Sequence, residues 1–441
     1  MQLSFEHVLT EEGWRDDVTL HIDDTTGFID AITPAEGPCT PGFVVPGLPN
    51  LHSHAFQRAL AGRTEHLDPG REDSFWTWRT EMYRLALTIT PEDLEAIAAQ
   101  LYVEMLEKGM TCVGEFHYLH HAPDGPYEQR DEMSARIFGA AEATGIALTH
   151  LPVLYMAGGF DRPPEDHQRR FVHADVDAFL ALVESASRHL GPTSRMGVAP
   201  HSLRAVPPAA LTEVVRHDGP VHIHIAEQSK EVEDCIEHLG DRPVEWLIDH
   251  VDVTRRFCLV HATHVNDDEV VVLAKSGAVA GLCPTTEANL GDGIFPAHAY
   301  VKEGGTFGVG SDSHVTVSAS EELRLLEYGQ RLVLQRRNLT VDGRRHVGTA
   351  LWARAVAGGA QALAQPAGAI AVGRRADLVR LDADHPRLVG HGAETSLDAW
   401  IFGSAEPVAD VWVAGKRLVE DGRHVARESI AAKFAEVMRR G

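Results

Sequence analysis

Eight apolar, strand-like runs alternate with amphipathic helical stretches between residues 44 and 313. Continuous apolar runs are typical of strands buried on both faces, and the alternation predicts parallel strands joined by crossover helices. Eight such units predict an α/β fold closed into a (β/α)8 TIM-like barrel. The predicted strands are 44–54, 110–117, 146–155, 195–201, 221–227, 257–264, 278–283 and 306–312.

One helical stretch shows how specific the local signals are. Thr90 can cap a helix, Pro91 suits its first position, and Asp93 complements the positive end of the helix dipole. Gly109 can end the same helix. The apolar residues between them recur at helical spacing: Leu94, Ile97, Ala98, Leu101 and Met105.

The two ends of the chain have a different sequence pattern, with short alternating apolar and polar runs broken by Gly and Pro, which is typical of β-strands. Because the chain has 441 residues and a barrel needs only about 250, a second domain is expected. We predict a small β-sandwich-like domain built from residues 1–45 and 368–425, a barrel over 46–367, and a C-terminal helix over 426–441.

The charge balance restricts the partners. The formal net charge is −24, which argues against a nucleic-acid surface because phosphate contacts need clustered Lys and Arg. A small-molecule substrate is the expected partner, and an anionic one would need particular arginines to hold it.

The sequence also predicts a cytoplasmic protein. The start lacks the basic and apolar regions of a signal peptide, and no run of about 18 apolar residues predicts a membrane span. The cysteines are scattered, odd in number and without a CxxC pair, which argues against disulfides and against a thiolate zinc site. They are Cys39, Cys112, Cys235, Cys258 and Cys283.

Histidines lie at the ends of predicted strands. His52 and His54 end the first strand, and their spacing of two places both side chains on one face. Such a pair arises easily by chance. In this fold, however, catalytic groups come from the C-terminal ends of barrel strands, so the position favours a metal site.

The fifth predicted strand ends with a similar pair followed by a carboxylate. His222 and His224 share a face, and His224 is the expected ligand because it lies nearer the strand end. His222 is expected to be a core histidine. Glu227 is a candidate acid/base, since a carboxylate near an activated water can carry its proton.

The sixth and eighth strands complete the candidate site. His261 ends the sixth strand and can polarise a water or hold an intermediate, whereas His264 is expected to be structural. Asp312 ends the eighth strand and can serve as ligand and proton acceptor. Three imidazoles and one carboxylate suit Zn²⁺, and Fe²⁺ also fits. No lysine ends the predicted fourth strand, which favours one metal ion per subunit.

These motifs resemble the amidohydrolase superfamily, and within its deaminase branch the formimidoylglutamate deiminase family of histidine degradation. The resemblance covers essentially the whole chain, and the tail segment 368–379 resembles the superfamily's closing β domain. The segments that carry it are 52–58, 168–171, 199–204, 222–228 and 283–293.

The resemblance implies a role for each matching residue. The implied zinc ligands are His52, His54, His224 and Asp312. Glu227 and His261 are implied as proton-transfer and water-orienting groups, together with Asp312. The implied substrate-binding residues are Gln57, Arg79, Tyr118, His201 and Arg204. A homodimer is implied as well.

The implied reaction is the hydrolysis of N-formimidoyl-L-glutamate to N-formyl-L-glutamate and ammonia by a zinc-activated water. Such a substrate has two carboxylates, and Arg79 and Arg204 can each bind one in a bidentate manner. Asp312 or His261 would take a proton from the water, and Glu227 would help to protonate the departing nitrogen. The sequence leaves open which group carries which proton.

Three alternatives stay open at this point. A related deaminase acting on a purine or pyrimidine ring would share the metal ligands without needing two arginines. N-formimidoyl-L-aspartate differs by one methylene, which a pocket distinguishes by only about 1–3 kcal/mol. A non-catalytic barrel used as a binding or assembly protein is the third, and metal analysis would separate it from an enzyme.

Overall fold

The computed structural model describes residues 1–67, 73–341, 343–403 and 406–440. Its strands are β1 Gln2–Thr10, β2 Gly13–Ile22, β3 Ile29–Pro34, β4 Thr40–Pro46, β5 Leu48–Ser53, β6 Met110–His117, β7 Ala147–Leu154, β8 Ser194–Met196, β9 Ala199–Pro200, β10 Val221–Ile225, β11 Phe257–His261, β12 Val279–Leu282, β13 Thr306–Val309, β14 Leu378–Leu381, β15 Val408–Val413, β16 Lys416–Glu420 and β17 Arg423–His424.

The same part of the chain contains the α-helices, most of which follow barrel strands. They are α1 Phe75–Ala86, α2 Pro91–Glu107, α3 Glu132–Thr144, α4 Val176–Ala186, α5 Pro208–Val214, α6 Ser229–Leu239, α7 Pro243–His250, α8 Asp267–Ser276, α9 Pro284–Leu290, α10 Ala297–Lys302, α11 Ala319–Leu334, α12 Val347–Ala362, α13 Ala393–Phe402 and α14 Arg427–Arg440.

The predicted barrel is confirmed. Strands β5, β6, β7 and β8 pair in parallel, with β9 also on β7, and β10 to β13 form a second parallel run. Parallel bridges join these runs at Val198 with Val221 and close the circle at Ser53 with Asp312. The first and last barrel strands therefore meet at their carboxyl ends.

Two predicted strands are divided in the structure. The apolar run 44–54 contains β4, which belongs to the terminal sheet, and β5, which belongs to the barrel. Gly47 separates them, and a Cβ there would lie 2.2 Å from the Thr111 side chain. The fourth barrel strand is likewise split into β8 and β9 around Gly197, where a Cβ would lie 2.5 Å from the Pro220 carbonyl oxygen.

Helix α2 has the ends that its sequence predicts. The Thr90 hydroxyl accepts from the Asp93 N–H, and the Asp93 carboxylate accepts from the Thr90 N–H, so these two backbone donors are both satisfied. The helix ends at Glu107, and Gly109 has a φ of 82°. The predicted apolar face is buried in the main core.

Both chain ends build the separate sheet, as predicted. Its eight strands run in the order β17-β16-β15-β14-β4-β1-β2-β3. Phe5 on β1 and Trp412 on β15 make an edge-to-face contact at 5.7 Å, although three strand spacings separate those strands, roughly 14 Å in a flat sheet. The sheet therefore curls around its own small core, which gives it a sandwich-like character.

The C-terminal portion also contributes a helix that packs against the barrel helices. Helix α13 lies between β14 and β15 in the chain and packs against α11 and α12. Trp400 of α13 contacts Trp352 of α12 with ring centroids 4.6 Å apart. Among the described residues, no helix has the length and hydropathy needed to cross a membrane.

Candidate metal centre and active-site cavity

Backbone pairing brings the predicted ligands together. The Asp312 N–H donates to the His52 carbonyl at 3.0 Å, and the His54 N–H donates to the Asp312 carbonyl at 3.2 Å. His224 lies on β10, in register with Val260 of the next strand. The closed barrel thus places three histidines and one aspartate at a single mouth.

The side-chain atoms of these residues lie within metal-binding distance. His52 Nε2 lies 3.2 Å from His54 Nε2 and 3.0 Å from His224 Nε2. Asp312 Oδ1 lies 3.3 Å from His54 Nε2 and 3.6 Å from His52 Nε2. Ligands at zinc bonding distances lie about 3.3 Å apart in a tetrahedron, and these four separations are close to that value. The ligand atoms form two triads that share His52, one with His54 and Asp312 and the other with His224 and His261.

The tautomers of two histidines are set by backbone carbonyls. His54 Nδ1 lies 2.8 Å from the Phe116 carbonyl oxygen, and His224 Nδ1 lies 3.2 Å from that of His201. Because Nδ1 of each ring donates its proton there, each Nε2 presents a lone pair to the centre. If His52 Nε2 carries a proton, it can donate to the Nε2 lone pair of His54 or to that of His224, but not to both. A cation, in contrast, can bind both lone pairs at once.

Burial keeps these imidazoles neutral and able to bind a metal. It lowers the pKa of His54 to about 3, and it lowers the pKa of His52 and His224 well below the usual range. Burial also raises the pKa of Asp312 to about 7. A divalent cation would favour the ionised form of that carboxylate.

His261 lies among three carboxylates. Its Nε2 is 3.6 Å from Glu227 Oε1 and 3.8 Å from Asp312 Oδ2, and its Nδ1 is 3.4 Å from Glu287 Oε1. Burial by itself would lower the pKa of His261, but these carboxylates raise it to about 10. The group can therefore carry a proton beside the metal ligands.

The backbone is strained where the strands end at this centre. Ala226, His261, Ala262, Asp312 and His314 have φ values of 50°, 68°, 49°, 46° and 60°. Non-glycine residues rarely adopt such conformations, which cost about 1–3 kcal/mol each and cluster at functional sites. The fold thus maintains unfavourable backbone geometry at the mouth of the barrel.

A cavity opens from the candidate metal centre. We call it the active-site cavity. The structure brings to its walls every residue for which a substrate or catalytic role is predicted. They are Gln57, Arg79, Tyr118, His201, Arg204, Glu227, His261 and Asp312.

Polar atoms in this cavity remain available to a ligand. Gln57 donates to the Tyr118 hydroxyl at 2.6 Å, yet its Oε1 is buried without a partner among the described residues. Arg204 Nε is likewise buried without a partner in that part of the chain. Arg79 donates from Nε to the Tyr83 hydroxyl at 2.6 Å.

No helix is predicted from the sequence for the segment around Arg79, but the structure is helical there. The segment forms helix α1, which Ser74 caps by accepting from the Trp76 N–H and in which Thr77 completes a capping box. Three aromatic residues within four positions, Phe75, Trp76 and Trp78, obscure the helical periodicity. The Ser74 and Thr77 pair was the signal that could have identified the helix.

Two of the remaining histidines have structural partners. His222 Nε2 lies 2.8 Å from the Ala362 carbonyl oxygen, and His264 Nε2 lies 2.8 Å from that of Asp292. Neither belongs to the metal cluster among the described residues. The prediction that both are structural agrees with these contacts.

The sequence did not identify two carboxylates beside the site. Glu287 accepts from the Cys283 N–H at 2.9 Å and lies beside His261. Asp292 accepts from the Gln228 amide, and burial with the nearby Glu227 raises the pKa of its carboxyl to about 9. Both residues lie in the segment 283–293, which carries part of the family resemblance but for which the sequence predicted no residue role.

A closed parallel barrel with a His/Asp cluster at its carboxyl mouth defines a metal-dependent hydrolase. The model of the Amidohydrolase family matches residues 43–418. The chain therefore belongs to the amidohydrolase family.

Individual relatives agree with this assignment. The chain is 50% identical over 98% of its length to formimidoylglutamate deiminase of Pseudomonas aeruginosa, 98% of which is covered. It is 28% identical to 8-oxoguanine deaminase of the same species, with 86% of this chain and 82% of that protein covered. The crystal structure of an amidohydrolase from Brucella melitensis superimposes with a TM-score of 0.95 at 46% identity, covering 100% of this chain and 99% of that one.

Proposed function

We propose that the protein hydrolyses N-formimidoyl-L-glutamate to N-formyl-L-glutamate and ammonia, a step of histidine degradation. The observation that carries the proposal is a metal-ligand cluster opening into a cavity that contains two arginines, Arg79 and Arg204. The relative that is 50% identical over 98% of the chain carries the same activity in its name. A ring-shaped substrate without carboxylates would not need those arginines.

The proposed metal is one Zn²⁺ per subunit, held by His52, His54, His224 and Asp312. Neutral imidazoles and a carboxylate are ligands that zinc prefers, and Fe²⁺ fits the same set. When bound, such an ion supplies Lewis-acid activation of a water molecule.

The protein residues would then move the protons. Asp312 and His261 lie 3.8 Å apart and face the same space. The Asp312 carboxylate can take the proton of the attacking water, and His261, whose pKa the neighbouring carboxylates raise to about 10, can orient that water as a hydrogen-bond donor. Glu227 lies 3.6 Å from His261 and lines the cavity, from which it can pass a proton to the departing nitrogen. Protonation of that nitrogen converts it into neutral ammonia.

The arginines and their neighbours would bind the substrate. Arg79 and Arg204 each suit one carboxylate because a guanidinium matches its two oxygens. Gln57 Oε1, which is buried and unpaired among the described residues, can accept from an N–H of the formimidoyl group. Tyr118 and His201 line the same cavity and would complete the hydrogen bonds.

The remaining parts of the proposal concern the assembly. We propose the division into a terminal β domain of 1–45 and 368–425, a barrel of 46–367 and a final helix of 426–441. The homodimer rests on the family resemblance, and light scattering would test it. A cytoplasmic location is supported by the five cysteines, all of which are free.

The decisive experiment is an ammonia-release assay. N-formimidoyl-L-glutamate should be the best substrate, ahead of N-formimidoyl-L-aspartate, guanine, cytosine and adenosine. Arg204→Met should raise KM for the glutamate compound by about 100-fold, because it removes a charged hydrogen-bonding group from a carboxylate. Turnover of a ring substrate in preference to both formimidoyl compounds would overturn the proposal.

A further inference from the structure

A buried glutamine outside the predicted set lies behind Arg79. Gln168 is 0% exposed and follows β7 in the chain. Its Oε1 accepts from the Glu165 N–H at 2.8 Å. Because an amide oxygen accepts and an amide nitrogen donates, this contact fixes which way the side chain points.

The amide nitrogen of Gln168 therefore faces two tyrosines. It donates to the Tyr155 hydroxyl at 2.9 Å and to the Tyr83 hydroxyl at 3.1 Å. The Tyr83 oxygen also accepts from Arg79 Nε at 2.6 Å. Both hydroxyl oxygens thus act as acceptors toward the protein, and each must direct its own proton elsewhere.

The number of protons limits where they can go. A hydrogen bond between the Tyr83 and Tyr155 hydroxyls would use only one of their two protons, because only one proton can lie between two oxygens. Among the described residues, neither hydroxyl donates to another protein acceptor, and both tyrosines line the active-site cavity. At least one O–H donor therefore points into the cavity.

We propose that Gln168 is a positioning residue that turns a tyrosine hydroxyl donor into the cavity, so that Tyr83 and Tyr155 help Arg79 to bind one carboxylate of the substrate. Within the described part of the chain, Arg79 bonds to protein only through Nε, which leaves its terminal nitrogens for the same carboxylate. The identity of the substrate rests on the proposed function.

The test uses calorimetric binding of the reaction product, N-formyl-L-glutamate, to the metal-loaded enzyme. Gln168→Glu keeps the shape but replaces the donor with an acceptor, so the tyrosine protons should turn away from the cavity. Tyr155→Phe and Tyr83→Phe remove one hydroxyl each. Each variant should weaken binding by about 10- to 100-fold, the range for losing a hydrogen bond to a charged group.

Two further ligands separate a carboxylate-binding role from a structural one. These are the α-amide and the γ-amide of N-formyl-L-glutamate, each of which lacks one carboxylate. For the amide that lacks the carboxylate bound by Arg79 and the tyrosines, wild type and variants should bind with the same affinity. Equal weakening for all three ligands, or wild-type affinity in the variants, would overturn the inference.

Tyr300→Phe is the matched control. It removes a fully buried hydroxyl that donates to the Thr306 carbonyl at 3.0 Å, where β13 begins and thus at the other end of the barrel. Metal content and thermal unfolding of every variant identify misfolding. If Gln168→Glu does not fold, the Tyr155→Phe and Tyr83→Phe comparisons still decide the question.

Kinetics separate this inference from the proposed function. Tyr155→Phe should raise KM for N-formimidoyl-L-glutamate while kcat changes by less than about threefold, since lost ground-state binding affects KM. A wild-type enzyme that does not release ammonia would overturn the proposed function alone, because the binding data judge the hydroxyls independently. A wild type that binds none of the three ligands would overturn both.

Discussion

At the scale of single residues, the proton-carrying groups of the site depend on one another. Glu227 raises the pKa of His261 and lies 3.6 Å from it, and it also lines the cavity. Neutralising Glu227 should therefore affect chemistry without affecting the metal ligands. Glu227→Gln should keep its metal and lose activity by about 10²- to 10⁴-fold, the usual range for general acid–base catalysis.

The measurement for Glu227 combines kcat with metal analysis of the same preparation. Glu245→Gln, which changes a carboxylate in the first turn of α7, is the control for loss of one negative charge. Near-normal turnover in Glu227→Gln would remove that residue from the proton path.

Glu287 gives a second prediction at this scale. It holds His261 through Nδ1 at 3.4 Å and accepts from the Cys283 N–H at 2.9 Å. Glu287→Gln keeps an acceptor but removes the charge, so His261 should orient less well and bind its proton less tightly. We expect kcat to fall by about 10- to 100-fold with metal content unchanged. Unaltered kcat would show that His261 needs no such support.

The sequence singled out the proposed metal ligands, which the structure brings together, but not these supporting groups. His52 and His54 could be recognised because strand alternation and barrel topology place them at a known position. Glu287 lies in the short helix α9 and Gln168 in a 3-10 turn after β7, and their partners are His261, Tyr83 and Tyr155. Those contacts join residues far apart in the chain and form only when the barrel has closed. A local sequence pattern therefore cannot predict them.

At the scale of elements, helix α12 packs unusually close to the barrel. A Cβ on Gly358 would lie 1.9 Å from the Phe307 carbonyl oxygen on β13. Alanine normally favours a helix over glycine by up to about 1 kcal/mol, but this clash with backbone costs more. Gly358→Ala should therefore lower stability by about 1–3 kcal/mol or more, measured by denaturant unfolding.

Gly139 provides the matched control for that substitution. It lies inside helix α3, where a Cβ would meet the Glu95 side chain at 3.6 Å, an ordinary contact. Gly139→Ala should be neutral or stabilising by up to about 1 kcal/mol. Equal effects at the two positions would show that close packing of α12 does not limit the substitution.

Element ends were predictable where the ends carry their own chemistry. Thr90, Asp93 and Gly109 mark α2 in the sequence, and the structure uses all three. The division between β4 and β5 was not predictable in the same way. Both pieces are buried, so the apolar pattern continues through Gly47, and only packing against Thr111 reveals the change of sheet.

At the scale of the whole molecule, the terminal sheet and the barrel share a hydrophobic core. Phe43 of β4 and Val411 of β15 belong to the same cluster as the barrel residues. Helix α13 adds Trp400 to that cluster from within the C-terminal portion. The sequence pattern distinguished the β-rich chain ends from the barrel segment. It could not show that the C-terminal portion contributes a helix that packs against the barrel.

Buried neutral histidines make the stability of the whole molecule sensitive to acid. Burial lowers the pKa of His117 and His173 to about 3 and that of His222 to about 4, whereas an unfolded histidine titrates near 6.5. Between those values each of these histidines binds a proton in the unfolded chain but not in the folded one, so each lowers stability as pH decreases. The raised pKa values of Asp292 and Asp312 act in the opposite direction. Each such histidine contributes up to about 1.4 kcal/mol per pH unit.

The expected result is a steep fall in the free energy of unfolding between pH 6.5 and pH 4, measured by urea titration of the metal-free protein. The metal-free protein is used because an ion held by the proposed ligands His52, His54 and His224 would couple proton uptake to metal release. His222→Gln should make the fall shallower, since the remaining donor can still reach the Ala362 carbonyl that His222 contacts at 2.8 Å. His7→Gln changes a histidine in the terminal sheet that contacts Asp16 near the surface, and it should leave the slope as in wild type. A fall as steep in His222→Gln as in wild type would contradict this account, because His222 would then take up no proton on unfolding.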